Sequence, residues 1–260
     1  MHLFISPHPD DAVLSCGGLI HNLTQQHKQV LILTIMAGDP PSPLPDTPHV
    51  KELHQRWGVG VNPMAVRRHE DEEAANILNA EILQVDVLDC IYRTAATLPL
   101  YPARDDLFGA VHRDDPARKQ IRSLFSGGDS RIDLTRTTPT QIYLPIGIGN
   151  HVDHQVVRDV CIDLIQNNDS ISALYYQEYP YCEDDAAVEM ARSKFPQPIT
   201  AQDIYLNEDD CNGKCAAVAA HKSQISTFWD DLDDMKQKVR QYMMKVGNGK
   251  PAERYWRIID

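Results

Sequence analysis

Residues 3–11 read Leu3-Phe4-Ile5-Ser6-Pro7-His8-Pro9-Asp10-Asp11, an apolar run followed at once by a polar cluster. The apolar residues predict a buried strand, whereas Pro7 and Pro9 lack backbone donors and force an extended turn. Open parallel α/β sheets bind their ligands at the carboxyl ends of the strands. The histidine and the two aspartates of this cluster are therefore placed for chemistry rather than for packing.

A second cluster of the same kind follows the apolar stretch Ile142-Tyr143-Leu144-Pro145-Ile146. It reads Gly149-Asn150-His151-Val152-Asp153-His154, and the apolar residues that recur every four positions after it predict a helix. His151 and His154 then lie one turn apart at the start of that helix, so both can address one point in space.

Taken together, the two clusters offer His8, Asp11 and His154 as a metal-ligand set. Two histidines and a carboxylate are typical of catalytic Zn²⁺ sites, where three protein ligands leave a coordination position open for water. The same ligands also suit Fe²⁺, Mn²⁺ and Co²⁺, so Zn²⁺ is only the first expectation. A lone histidine or aspartate would more often be structural or a helix cap, but two such clusters after two separate strands favour a metal centre.

The alternation of strand and helix patterns predicts the fold class. Expected strands cover 3–5, 30–35, 81–85, 142–146 and 171–176, and expected helices include 117–125 and an apolar stripe over 232–246. Such alternation is typical of an α/β fold, a Rossmann-like three-layer sandwich with a mostly parallel sheet and helices on both faces. The length of 260 residues and the lack of a linker predict a single domain, 1–260.

Both clusters resemble the signature blocks of the PIG-L, or LmbE-like, family of zinc-dependent N-acetylglucosaminyl deacetylases. The family's Pro-His-Pro-Asp-Asp block with its Gly-Gly pair is similar to 7–11 with 17–18, and its His-x-Asp-His block is similar to 151–154. A weaker resemblance covers Arg67-x-x-Glu70, with Asn79 where a glycine is usual. A late helix is matched by Lys214, Ala217, His221, Ser223 and Gln224.

The resemblance implies a role for each residue of the two blocks. His8, Asp11 and His154 would hold the metal, Asp10 would act as general base, and His151 would stabilise or protonate the reacting amide. A metal-activated water deprotonated by a positioned carboxylate is what cleavage of a poor electrophile such as an amide requires.

Two further roles stay open between a functional and a structural interpretation. Asp153 would orient His151, as carboxylates near metal sites do, or would merely cap the helix. Arg67 or Arg68 could bind a substrate hydroxyl or phosphate through its fixed donors. Without the resemblance, the charged run 67–73 would be interpreted as an ordinary solvated helix face.

The implied activity is a metal-dependent hydrolase that removes an N-acetyl group from an amino sugar or a GlcNAc-containing conjugate. One alternative is a metallophosphoesterase, which usually needs two metals and more carboxylates. The other is a non-catalytic carbohydrate-binding member of the fold, which has no need for a base at Asp10.

Composition limits the partners. A formal net charge of −12 disfavours nucleic acid and anionic membranes, and no apolar run reaches transmembrane length. No Gly-x-Gly-x-x-Gly fingerprint follows the first strand, which makes a nicotinamide cofactor improbable. We expect a cytoplasmic enzyme with a small-molecule amino-sugar substrate, and a homo-oligomer is left open. Segments 38–48 and 93–116 are expected to form the rim of the site, as lids or as surface decoration.

Overall fold

The computed structural model describes residues 1–57, 62–125, 132, 141–165, 171–195 and 197–259. The strands are β1 (His2–Ser6), β2 (Val30–Thr34), β3 (Glu81–Gln84), β4 (Thr94–Ala95), β5 (Leu98–Pro99), β6 (Gln141–Pro145), β7 (Ala173–Tyr176), β8 (Ile199–Tyr205) and β9 (Ala252–Ile258). The helices are α1 (Asp11–Gln25), α2 (Pro48–Trp57), α3 (Pro63–Ile77), α4 (Arg104–Leu107), α5 (Ala117–Leu124), α6 (Val152–Ile165), α7 (Asp185–Arg192), α8 (Glu208–Val218), α9 (Lys222–Phe228) and α10 (Leu232–Val246). Short 3₁₀ turns lie at Cys90–Tyr92, Ile148–Asn150 and Tyr181–Glu183.

Seven strands form the central sheet in the order β3-β2-β1-β6-β7-β9-β8. The first five pair in parallel, and β9 runs antiparallel to both β7 and β8. The predicted mostly parallel sheet surrounded by helices is thereby confirmed, although the sequence patterns predicted neither β8 nor β9. From β1 the chain builds the sheet outward to β3 and then returns to the other side of β1 with β6. The carboxyl ends of β1 and β6 therefore flank the point where the strand order reverses, which is where such sheets bind ligands.

The glycine pair in α1 allows close packing against the end of the chain. A Cβ on Gly17 would lie 3.0 Å from Lys214 Cγ, and one on Gly18 would lie 2.6 Å from Leu206 Cδ1. Lys214 Nζ is 2.8 Å from Glu253 Oε1, and the same oxygen accepts the backbone N–H of Gly18 at 2.9 Å. A buried ion pair thus joins α8 to β9 at the place where α1 lacks side chains.

Segment 93–116, expected to form part of the rim, contains the β4–β5 hairpin and α4. Further along the chain, α7 follows the 3₁₀ turn Tyr181–Glu183. The late helix of the family resemblance is two helices, α8 and α9, with His221 between them. None of the described helices combines the length and the apolarity that crossing a bilayer requires.

A buried carboxyl group in α3 gives the fold a testable pH dependence. Asp71 is fully buried and accepts a hydrogen bond from Thr34 Oγ1 at 2.7 Å, and burial raises its pKa from 3.8 to about 7. Because this pKa is higher in the folded state than in the unfolded state, the protein loses stability as the pH rises through that interval.

We therefore expect Asp71→Asn to raise the melting temperature by roughly 5 °C at about pH 8, and by less at about pH 5. Thermal unfolding followed by circular dichroism at both pH values measures the difference. Asp233→Asn, at a side chain that is 97% exposed, is the matched control and should change the two values only slightly and equally. A melting temperature that falls at the higher pH would contradict the expectation.

Candidate active site

The first polar cluster is held by a network of short contacts at the end of β1. Ser6 Oγ donates to the His8 carbonyl at 2.7 Å and accepts the Ala12 N–H at 3.0 Å. The His8 N–H donates to Asp11 Oδ2 at 2.8 Å, at the first residue of α1. The turn between strand and helix is therefore fixed by its own side chains, and all of these groups are buried.

Both clusters meet at one carboxylate oxygen. Asp11 Oδ2 lies 3.2 Å from His8 Nδ1 and 3.3 Å from His154 Nε2. Two ligands at ordinary zinc distances lie roughly 3.3 Å apart in a tetrahedral site, so these separations suit a shared ion. Although burial opposes a positive charge, Asp11 raises the pKa of His154 to about 9. The group thus attracts a cation, whether a proton or a metal ion.

The outer nitrogen of each imidazole is bonded to a further carboxylate. His8 Nε2 is 2.9 Å from Asp153 Oδ2, and His154 Nδ1 is 3.2 Å from Glu178 Oε1. Such contacts fix the tautomer of a metal-binding histidine and leave its other nitrogen free to bind. Sequence analysis did not identify Glu178. The only signal for it was an acidic residue shortly after the β7 strand.

The position of Asp153 matches neither of its two predicted roles, orienting His151 or capping the helix. Its carboxylate contacts the ring of His8, not that of His151, and Oδ2 also accepts the Cys90 N–H at 3.0 Å. Its Oδ1 is 2.5 Å from Arg93 Nη2, which also lies 3.0 Å from Asp115 Oδ2. Arg93 and Asp115 come from the segment expected only to form a rim, and nothing in the local sequence marked them.

His151 is half-buried and presents a neutral ring to the cavity. Burial and the neighbouring His8 imidazole hold the pKa of His151 well below its usual value. Its Nδ1 accepts the Asp153 N–H at 3.3 Å, which places the ring proton on Nε2. Cys90 Sγ lies 4.0 Å from that Nε2. His151 is thus a hydrogen-bond donor rather than a charged acid.

Asp10 adopts a backbone conformation that side chains rarely tolerate. Its φ of 133° lies outside the regions open to L-residues, and such strain concentrates at functional sites. Its Oδ2 is 3.4 Å from Arg67 Nη2, whereas the adjacent Asp11 contacts the imidazoles. Burial raises the pKa of Asp10 to about 7 against the opposing charge of Arg67. The neighbouring aspartates therefore contact different groups, Asp10 the guanidinium of Arg67 and Asp11 the two imidazoles.

The two candidate substrate-binding arginines separate in the structure. Arg67 is buried beside the cavity, where Nη2 donates to the Pro9 carbonyl at 3.2 Å and the guanidinium lies 5.0 Å from the Trp57 ring centre. Arg68 instead bonds the Ala37 carbonyl and Asp39 Oδ1, both at 2.7 Å. Consecutive helical residues point in different directions, so only Arg67 reaches the site.

A cavity of about 330 Å³ opens above these groups, a size that suits a small ligand. Its walls come from α2, α4 and its following residue, the turn at Tyr181, and α9. Glu70 fixes α9 by accepting the N–H of Ser223 at 2.8 Å and its hydroxyl at 2.6 Å. Segment 93–116 therefore shapes the pocket through α4, whereas a lid movement of either rim segment stays a prediction.

The chain is similar to known deacetylases in sequence and in fold. The family model PIG-L, described as GlcNAc-PI de-N-acetylase, matches residues 3–165. The 2'-N-acetylparomamine deacetylase of Niallia circulans is 26% identical over 272 residues, covering 98% of this chain and 89% of that protein. The zinc inhibited form of teicoplanin deacetylase Orf2 superposes with a TM-score of 0.80 at 24% identity, covering 99% and 97% of the two chains. The A40926 pseudoaglycone deacetylase Dbv21 superposes with a TM-score of 0.76 at 25% identity, covering 99% of this chain and 96% of that chain.

Proposed function

The chain belongs to the PIG-L (GlcNAc-PI de-N-acetylase) family, and from this premise we propose that it is a metal-dependent hydrolase that removes an N-acetyl group from an amino sugar. One observation carries the proposal. His8 and His154 both turn a ring nitrogen to Asp11 Oδ2 while Asp153 and Glu178 bond their other nitrogens. The names of two relatives, a 2'-N-acetylparomamine deacetylase and an A40926 pseudoaglycone deacetylase, support the substrate class.

The donor set fits a divalent ion. His8 Nδ1, Asp11 Oδ2 and His154 Nε2 would hold it, with Zn²⁺ as the first expectation and Fe²⁺, Mn²⁺ or Co²⁺ compatible with the same ligands. When bound, such an ion supplies Lewis acidity that polarises the acetyl carbonyl and makes a nearby water easier to deprotonate. The teicoplanin deacetylase described as zinc inhibited supports zinc binding at this fold.

Asp10 is the group that takes the proton from the attacking water. It lines the cavity, makes none of the contacts that join the three ligands, and has a pKa raised towards neutrality. A base with a pKa near the working pH is the most effective in general catalysis. The protonated carboxyl can then pass its proton to the departing amine. Arg67 holds the carboxylate in place through the contact between Nη2 and Oδ2.

His151 stabilises the charge that develops on the acetyl oxygen. Its neutral ring lines the cavity and carries its proton on Nε2, and a preorganised donor of this kind stabilises developing negative charge. Because its pKa is lowered, it donates a hydrogen bond and keeps its proton. Of the two roles implied by the resemblance, the geometry favours stabilisation over proton transfer.

Metal removal tests the proposal. We expect chelator-treated protein to release no amine from N-acetylated sugars, nucleotide sugars or glycolipid precursors in a fluorescamine assay, and stoichiometric Zn²⁺ to restore release. Elemental analysis should find a single ion per chain. Undiminished turnover in the metal-free protein would refute metal dependence. Phosphate release with two ions per chain would identify a phosphoesterase, and binding of sugars without amine release would identify a non-catalytic module.

We also place the reaction in the cytoplasm. All six cysteines of the chain are unpaired and buried, which suits a reducing compartment. Extracellular proteins of this kind would be expected to pair some of their thiols.

A further inference from the structure

The active-site cavity carries its acidic and basic groups at different depths. Its acidic lining side chains are Asp10, Asp11 and Asp89, each at most 7% exposed and close to the two metal-binding histidines. Among the described residues that line the cavity, the exposed side chains with a permanent charge are both arginines, Arg56 and Arg104. The mouth is therefore cationic, although the whole chain has a net charge of −12.

Arg104 is available for a ligand. It is the first residue of α4, and within the described part of the chain its guanidinium has neither a hydrogen bond nor an ion pair. The carboxylate of Asp106 in the same turn accepts the Ala103 N–H at 2.8 Å, so it is occupied by the backbone. Leu107 and Phe108 of the same turn line the cavity, which places Arg104 on its rim.

Arg56 has one weak partner. It lies in the last turn of α2, and its Nη2 is 2.5 Å from Oε1 of Glu52, one turn earlier and outside the cavity lining. An exposed pair of this type contributes little to the stability of a helix. A guanidinium has five N–H donors, so this contact leaves most of them free for a second anion.

Aromatic side chains also line the cavity. Trp57, Phe108 and Phe228 belong to its walls, and flat apolar walls of this kind suit the ring of a sugar. If the acetamido group of a substrate lies at the bottom of the cavity, near the two histidines, the rest of the conjugate therefore extends towards the two arginines.

Building on the proposed deacetylation, we infer that the substrate carries an anionic group, a carboxylate or a phosphate, which Arg56 and Arg104 bind at the mouth of the cavity. Guanidinium groups match carboxylate and phosphate geometry through paired N–H donors. An amine at the same position would be repelled by both. The two arginines thus select against a conjugate that carries an amine at this position.

Four N-acetylglucosaminides that differ only at the end of the aglycone test this selectivity. The probes are the 2-carboxyethyl, 2-phosphoethyl, 2-carbamoylethyl and 3-aminopropyl glycosides, assayed with the zinc-loaded full chain. We expect kcat/KM for the better anionic probe to exceed that of the neutral amide by about tenfold, chiefly through KM, and the amine to be poorest. High salt should reduce the difference.

Substitutions of the two arginines test whether the preference for anionic probes arises at the mouth of the cavity. Arg56→Gln and Arg104→Gln should each lower the anionic advantage several-fold and change kcat/KM for the neutral amide much less, so that the loss is specific to the anionic probes. Arg113→Gln is the matched control, because Arg113 is an exposed arginine of the same segment outside the cavity lining. The ranking of carboxylate against phosphate identifies which anion the site prefers.

The experiment distinguishes a failure of the anionic-substrate inference from a failure of the proposed deacetylation. If neither anionic probe exceeds the neutral amide in kcat/KM, or if the amine is preferred, the anionic substrate is overturned and deacetylation still stands. A preference that survives both arginine substitutions would overturn the assignment to Arg56 and Arg104. No amine release from any of the four probes, or from a wider panel, would overturn deacetylation together with the inference that rests on it.

Discussion

Replacing Asp10 by asparagine is expected to lower turnover by roughly a thousandfold while the metal content stays at the wild-type level. Asparagine keeps the size of the side chain and tolerates a positive φ better than most residues, so the strained turn at 133° should survive. It cannot accept the proton of the attacking water. Steady-state amine release and elemental analysis of the same preparations measure both quantities.

Asp71→Asn provides the matched control for this experiment. Asp71 is also buried, and its pKa is likewise raised to about 7, but its carboxyl contacts Thr34 and not the cavity. If the loss of activity comes from removing a base, only the substitution at position 10 should abolish turnover. Wild-type turnover in Asp10→Asn would reject the assignment of the base, and loss of the metal would show that Asp10 acts as a ligand.

The pH dependence adds a second criterion. The pKa of about 7 for Asp10 belongs to the chain without a metal, and a nearby dication favours the ionised carboxylate. The acid limb of kcat against pH should therefore lie below about pH 7 in the zinc-loaded enzyme. This limb should disappear from the residual activity of Asp10→Asn.

The parallel strands β1, β2 and β6 could be predicted because they are buried on both faces. All five residues of β2 are buried, as are four of the five in β1 and in β6, so each is an uninterrupted apolar run. By contrast, β9 contains the buried Glu253, whose charge is compensated by Lys214 on α8. That compensation comes from a distant part of the chain, so the local pattern of β9 did not indicate a strand.

In the candidate site, too, the residues in short sequence motifs could be predicted, whereas those that depend on tertiary contacts could not. Its three ligand candidates and Asp10 lie in two short motifs whose spacing is visible in the sequence. The carboxylates that hold the imidazoles depend on tertiary contacts. Asp153 turns to His8 because the Cys90 N–H and Arg93 fix its two oxygens. No spacing rule links residues 90, 93 and 153.

That distant network produces the second large effect that we expect. Arg93 is 2% exposed, and it lies between the carboxylates of Asp153 and Asp115. Burial alone would raise the pKa of Asp153, but Arg93 and the contact with His8 hold it well below its usual value. Asp153 therefore neutralises a buried cation and orients a candidate metal ligand at the same time.

Asp153→Asn should lower the free energy of unfolding by about 3 kcal/mol, because it leaves Arg93 with an incompletely compensated buried charge. It should also weaken zinc binding roughly 10-fold to 100-fold, since an amide orients His8 less well than a carboxylate does. Urea unfolding of the metal-free protein measures the first effect, and competition with a zinc chelator measures the second. Asp203→Asn is the control, because its pair with the half-exposed Arg254 should be worth at most about 1 kcal/mol.

A triple substitution separates the two roles of Asp153. Combining Arg93→Met with Asp153→Asn and Asp115→Asn removes the buried cation and both of its carboxylate partners, so much of the lost stability should return while zinc binding stays weak. Glu178→Gln changes the carboxylate behind His154 and should weaken zinc binding to a similar degree, although Arg93 keeps both of its carboxylate partners. Wild-type zinc affinity in both Asp153→Asn and Glu178→Gln would show that neither histidine depends on its carboxylate. The convergence of the two rings on Asp11 would then have to arise from packing alone.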